Sequence, residues 1–73
     1  MKYAVVIEQG DTSYGAYVPD LLGCVAVGES LEEVKRLIRE AIFFHLEGLR
    51  EEGLPIPPAT SLCAYVELQE GVA

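Results

Sequence analysis

A single long helix is predicted between Gly28 and Gly53, and this stretch constrains the fold more than any other part of the chain. Ser30 followed by Glu33 forms a capping box: the serine hydroxyl accepts a hydrogen bond from a free amide at the helix start, and the glutamate reaches back to the cap. Gly53 suits the position after the helix because glycine enters the left-handed region without steric cost. These signals enclose a helix of roughly 22 residues, about 33 Å long at 1.5 Å per residue.

The predicted helix has one apolar face and one charged face. At 100° per residue, a set of mostly apolar side chains falls on one stripe, which is predicted to cover a sheet. The members of this stripe are Leu31, Val34, Ile38, Ala41, Ile42, His45 and Leu49. Phe43 breaks the pattern because it falls among the charged residues. An exposed aromatic residue in a charged face indicates contact with a partner.

Four strands are predicted around the helix, because runs of apolar and aromatic residues are bounded by turn residues. Their ranges are 2–8, 13–18, 24–27 and 61–68. A short turn makes the first two a hairpin, and the helix acts as a crossover that brings the last strand parallel to the first and beside it. The element order β-β-β-α-β therefore predicts a two-layer α+β domain over residues 1–73, with sheet order 3-2-1-4.

Both faces of the predicted sheet are apolar. The helix side is expected to carry Tyr3, Val5, Ile7, Val25, Val27, Ala64, Val66 and Leu68, and the other side Ala4, Val6, Tyr17, Ala26 and Tyr65. A domain of this size buries only about 60% of the surface that its unfolded chain exposes, yet 51% of the 73 residues are hydrophobic. One helix covers one face, so the second face needs another chain. A homodimer or homotetramer is predicted.

The net charge restricts the kinds of molecule that this chain can bind, and the absence of apolar spans and signal segments predicts its cellular location. The net charge of −7 repels phosphate backbones, so direct binding of nucleic acid is not expected, whereas a basic protein partner suits this charge. No apolar run is long enough to span a membrane and no signal segment opens the chain, so the expected location is the cytoplasm. Cys24 and Cys63 are predicted to be buried, reduced and on opposite sheet edges, roughly 14 Å apart, too far for a disulfide.

The sequence contains no recognisable catalytic constellation. His45 is the one histidine, and no serine or cysteine nucleophile is placed beside it by any spacing. A metal site needs more ligands than one histidine among scattered carboxylates. The chain is therefore predicted not to be an enzyme, with no catalytic residue, no metal site and no cofactor.

The turn after the second predicted strand carries two leucines. Pro19 removes an amide, and Asp20 and Gly23 suit a turn. Leu21 and Leu22 are unusual there. Two alternatives remain: the leucines close the bottom of the core under the helix, or they face a partner.

Several stretches resemble the HicB family of type II antitoxins. They are residues 14–24 (YGAYVPDLLGC), 28–33 (GESLEE), 40–42 (EAI) and 53–58 (GLPIPP). The resemblance implies a partial ribonuclease H-like fold, which agrees with the β-β-β-α-β order; the catalytic carboxylates of true ribonuclease H enzymes are not recognisable. It also implies a partner, HicA, a small basic RNA-cleaving toxin with a double-stranded-RNA-binding-like fold, which such a domain binds and blocks.

If the chain is such an antitoxin-like module, its contact with a basic partner should need apolar anchors, and this predicts a set of partner-binding residues. They are Tyr17, Asp20, Leu21 and Leu22 around the proline turn, with Phe43 as second choice. Many HicB proteins add a C-terminal helix-turn-helix or ribbon-helix-helix segment that binds the operator; this sequence shows none, so operator binding is not expected. The alternative function is an orphan oligomeric domain that binds a small ligand or another protein and has no toxin partner.

Overall fold

The fold is a three-stranded antiparallel sheet covered on one side by one helix, as seen in a computed structural model that describes residues 1–71. The elements are β1 (Val6–Gln9), β2 (Tyr14–Tyr17), β3 (Val25–Gly28) and α1 (Leu31–Glu51). The strands lie in the order β1-β2-β3. The predicted α+β arrangement of one sheet layer and one helix layer is confirmed.

The β1–β2 hairpin forms where the sequence predicts it, although both strands are shorter than expected. Val6 pairs with Tyr17 and Gln9 pairs with Tyr14. The Gly10 amide closes the turn by donating to the Ser13 carbonyl oxygen at 2.8 Å. This turn therefore lies at the opposite end of the sheet from the turn that follows β2.

Both ends of α1 are capped as predicted. The Ser30 hydroxyl accepts from the Glu33 amide at 3.0 Å, and the Glu33 carboxylate accepts from the Glu29 amide at 2.6 Å. At the other end Gly53 has a φ of +71°. The amides of Gly53 and Leu54 donate to carbonyl oxygens of the last helical turn at 3.0 and 2.9 Å. This is a Schellman motif, which satisfies carbonyls that would otherwise lack partners.

The core lies between α1 and the sheet. Its buried members are Ala16, Val18, Leu21, Cys24, Val34, Ile38 and Leu46. The predicted helix stripe is right at Val34 and Ile38. It is wrong at Leu31, which is exposed in the first turn, and it omitted Leu46, which packs into the core.

The predicted orientation of β3 is wrong by one residue. Val25 and Val27 were expected to face the helix, but both are exposed on the outer face, while Ala26 and Gly28 face α1. The reason is the close approach of the helix: a Cβ at Gly28 would lie 2.8 Å from the Val34 backbone nitrogen. Small residues must therefore face α1 along β3, and strand alternation turns the valines outward.

The predicted fourth strand is not a strand in the structure. No residue of the range 61–68 pairs with β1, so the sheet order is β1-β2-β3 within the described residues rather than 3-2-1-4. Residues 62–69, hereafter the tail segment, are all exposed, and this includes Cys63, which was expected to be buried. The Asp20 carboxylate accepts hydrogen bonds from the amides of Thr60 and Ser61, and beyond these residues the tail segment leaves the domain.

Within residues 1–71, α1 does not combine the length and the apolar character that a membrane crossing requires.

Candidate protein-binding surface

Two consecutive turns connect β2 to β3. The Leu21 amide donates to the Val18 carbonyl at 3.1 Å, and the Cys24 amide donates to the Leu21 carbonyl, also at 3.1 Å. Gly23 has a φ of +82°, a value that residues with a side chain rarely adopt. Pro19 occupies the second position of the first turn, which its fixed φ favours. The backbone of this connection is therefore well determined by local chemistry.

The two turns send the adjacent leucines in opposite directions. Leu21 is 1% exposed and packs in the core, whereas Leu22 is 95% exposed. The first alternative, closing the core, therefore holds for Leu21, while contact with a partner stays a prediction for Leu22. Leu21 closes the core, and Leu22 is available to a partner.

Leu22 is part of a larger apolar area. Tyr17 at the end of β2 and Val25 at the start of β3 are also exposed, and their backbones are paired across the sheet. Together with Pro19 they border a shallow cavity of about 430 Å³. We call Tyr17, Pro19, Leu22 and Val25 the turn surface. An exposed leucine beside an aromatic and a β-branched residue is typical of a protein-binding site.

Asp20 serves an internal contact. Its carboxylate accepts hydrogen bonds from the amides of Thr60 and Ser61 at 3.0 and 2.9 Å, and from their hydroxyls at 3.2 and 2.8 Å. The Ser61 amide, the Ser61 hydroxyl and the Thr60 groups lower the pKa of Asp20 below its ordinary value of 3.8. Asp20 therefore ties the chain after α1 to the turn, and we call this contact the Asp20 clamp.

Phe43 lies apart from the turn surface. Its ring is exposed on α1 and contacts the ring of Phe44 edge-to-face, with centroids 5.5 Å apart. It is not among the residues that border the turn cavity. The structure therefore brings together Tyr17 and Leu22 of the predicted site residues, places Asp20 and Leu21 in internal contacts, and leaves Phe43 as a second exposed position.

Val25 is the member of the turn surface that the sequence reasoning missed. The error follows from the reversed orientation of β3. A usable signal was present, because Cys24, Ala26 and Gly28 are all small and alternate along the strand. A run of small residues at every second position indicates the side on which a helix packs closely.

Titratable side chains do not converge at the turn surface. Among residues 1–71, no three His, Cys, Asp or Glu side chains lie close enough together to hold a metal ion. Burial raises the pKa of the Cys24 thiol. The groups that the turn surface presents to solvent are mainly apolar, and such groups recognise another surface by burial and shape.

The fold and this surface define a class: a small acidic α+β domain with an exposed apolar turn suited to protein contact. Comparison with known proteins gives the family. Residues 3–71 match the model of the HicB_like antitoxin of bacterial toxin-antitoxin system. This chain belongs to that HicB-like antitoxin family, as its sequence motifs indicated.

Relatives occur in bacteria and a phage. A UPF0150 protein of Helicobacter pylori (strain J99 / ATCC 700824) is 41% identical over 69 residues, which cover 93% of this chain and 96% of the relative. An uncharacterized 14.9 kDa protein of Haemophilus phage HP1 (strain HP1c1) is 34% identical over 96% of this chain, which spans only 53% of the phage protein.

A solved structure is also similar. A chain in the HicA3 and HicB3 toxin-antitoxin complex superposes with a TM-score of 0.70 at 30% identity, covering 81% of this chain and 70% of that chain. The similarity supports the antitoxin family at the level of the fold as well as the sequence.

Proposed function

We propose that this chain is an antitoxin-like protein-binding module that binds and neutralises a small, basic, RNA-cleaving toxin of the HicA type. The observation that carries the proposal is the 95% exposure of Leu22, next to Tyr17 and Val25, on a domain with a net charge of −7. Membership of an antitoxin family and the similarity to a chain of a toxin-antitoxin complex supply the kind of partner.

In this proposed contact, charge determines mainly the rate of association, and buried apolar side chains determine mainly the affinity. Opposite charges on the two proteins accelerate association, and salt screens them over about 8 Å at 0.15 M. Affinity depends instead on a few apolar anchors that become fully buried. Leu22 and Tyr17 are the proposed anchors, while Leu21 and Asp20 hold the turn in the shape that presents them. Phe43 is proposed as a second contact.

The test starts from a basic protein that is encoded in the neighbouring reading frame and slows growth when expressed alone. This protein is then co-expressed with the chain. The chain should restore growth, and Leu22→Asp should restore it poorly, because the substitution removes an anchor and places a charge in a desolvated contact. Phe43→Asp should have a smaller effect.

Thr12→Asp is the matched control. It adds the same negative charge in the exposed β1–β2 turn, at the opposite end of the sheet, and should rescue growth like the parent. Equal rescue by the Leu22→Asp variant would remove the turn surface from the binding site. A neighbouring protein that neither slows growth nor binds would favour the orphan alternative, a domain that binds a small ligand or another protein.

The remaining parts of the proposal follow from the same role. An antitoxin acts by binding, so we propose no catalysis by this chain. The cytoplasm is the proposed location, because a toxin that cleaves cellular RNA acts there. Direct nucleic-acid binding by this chain is not proposed, since its charge opposes it.

A further inference from the structure

The tail segment has a strand pattern but no strand partner in its own chain. Leu62, Val66 and Leu68 are 95%, 80% and 82% exposed, and in an extended strand their even positions would place them on one side. The radius of gyration is 14.9 Å and the longest dimension is 53 Å. A compact chain of this length would have a radius of gyration of about 11 Å. The tail segment therefore projects from the domain with its apolar side uncovered.

The edge of β1 is open in the described part of the chain. β1 pairs with β2 on one side, and no strand of residues 1–71 pairs with its other side. Unpaired backbone groups on such an edge are a template for another strand. A seven-residue strand is about 23 Å long at 3.3 Å per residue. Added to this edge, it would run along β1 and the residues before β1.

An apolar groove of about 490 Å³ runs beside this edge, between β1 and α1. The sheet side of the groove is formed by alternate residues before and within β1, and the helix side by isoleucines of α1. The apolar lining residues are Met1, Tyr3, Val5, Ile7, Ile38 and Ile42. A strand added to β1 would place every second side chain into this groove.

The charges of the groove and the tail segment are complementary. Lys35 and Arg39 line the groove on the helix side, although the whole chain is acidic. Neither cation takes part in an ion pair within residues 1–71. Glu70, just after the tail segment, continues the alternation of Val66 and Leu68, so a continued strand would direct it to the groove side, whereas Glu67 would face away. A strand with an apolar groove-facing side that is followed by Glu70 therefore fits both the lining and the charge of the groove.

We infer that residues 62–68 of one copy of this chain add as a fourth strand to the β1 edge of a second copy, and that the second copy reciprocates. The Asp20 clamp fixes Thr60 and Ser61, so the tail segment leaves its own domain from a defined point. A reciprocal exchange is an isologous interface with two-fold symmetry, in which the same edge and segment are used twice. It buries Val66 and Leu68 in the partner's groove.

This inference is independent of the proposed function, because it concerns self-association and uses neither the turn surface nor a toxin. Sedimentation analysis of the full chain under reducing conditions should show a dimer. Val66→Asp should raise the dimer dissociation constant at least about tenfold, since it puts a charge among apolar side chains. Arg39→Glu should weaken the dimer less, and the effect should shrink at high salt.

Cys63→Asp is the matched control, because it adds the same charge to the tail segment on the side that faces away from the groove. It should change the dissociation constant by less than about threefold. A dimer that tolerates Val66→Asp as well as Cys63→Asp would overturn the inference. So would a monomeric parent chain.

A second measurement distinguishes exchange from closure within one chain. Isotope-filtered NMR on a mixture of methyl-labelled and unlabelled protein should show contacts between the Val66 methyls of one copy and the Ile42 methyls of the other. If those contacts occur only within a single chain, the fourth strand closes on its own domain and the exchange is wrong. Loss of toxin binding would leave these readouts unchanged.

Discussion

The tail segment is richer in apolar residues than the domain body, residues 6–51, yet only the body buries such residues. In the body the helix-facing side of the sheet meets α1: Ala16 of β2 and Val34 of α1 are both buried in one core. The tail segment repeats the strand pattern yet remains exposed throughout. Alternation of side chains specifies which side of a strand is to be buried. The strand itself forms only where it can pair with the edge of another strand and pack its apolar side against a second element.

The largest expected difference between the two regions is in the cost of truncating an apolar side chain. Ile38→Ala should lower the free energy of unfolding by about 2–5 kcal/mol, because Ile38 is buried and its removal leaves a cavity. Val66→Ala should change it by less than about 0.5 kcal/mol at protein concentrations well below the dimer dissociation constant. Denaturant titration of both variants checks this. Equal losses would mean that the tail segment packs on its own domain.

The contact between β3 and α1 gives the next largest effect. Gly28→Ala should destabilise the body by about 1–3 kcal/mol, because the new Cβ would lie 2.8 Å from the Val34 nitrogen, a backbone atom that cannot rotate away. Gly15→Ala is the control, since a Cβ there has no neighbouring atom within 4 Å. Thermal melts of the two variants should separate clearly. A Gly28→Ala variant as stable as the parent would refute the close packing that orients β3.

The N-terminal cap of α1 tests how much local hydrogen bonding contributes to the stability of the domain body. Ser30→Ala should cost about 1 kcal/mol, because the Glu33 amide loses its acceptor. Ser30→Asp keeps an acceptor and should retain most of the stability. The midpoints of urea unfolding report the difference. An unchanged midpoint in the alanine variant would show that the cap is dispensable.

The smallest effect concerns the clamp that joins the two regions. The pKa of Asp20 is lowered from 3.8 by hydrogen bonds to the ionised carboxylate. Its stabilising contribution is therefore present above about pH 3.8 and is lost as the pH falls through the lower folded-state value. The amide resonances of Thr60 and Ser61 should stay constant down to about pH 4 and move below it. Asp20→Asn should shift them at neutral pH, whereas Asp11→Asn should not.

Much of the body could be predicted from local chemistry. Ser30, Glu33 and Gly53 define both ends of α1, because capping depends only on residues within one turn. The β1–β2 hairpin followed from turn residues between two apolar runs. The residues that form these features are close together in the sequence, so few other local structures compete with them.

The errors arose where the answer depended on distant residues. The orientation of β3 depends on how closely α1 approaches Gly28, and the position of the chain just before the tail segment depends on hydrogen bonds between Ser61 and the distant Asp20. The two leucines of the turn could not be separated from the sequence, because their directions are determined by the backbone angles of Gly23 and its neighbours. The sequence therefore pointed to this turn as the candidate site but did not show which of its two leucines is exposed.

The most direct test of the antitoxin proposal is calorimetric titration of the purified chain with the purified basic protein encoded beside it, at about 0.15 M salt. We predict saturable binding that weakens as salt increases. Leu22→Asp should raise the dissociation constant at least about tenfold, equivalent to 1.4 kcal/mol, and Thr12→Asp should leave it within about twofold. No measurable binding by the parent chain, or equal binding by the two variants, would contradict the account.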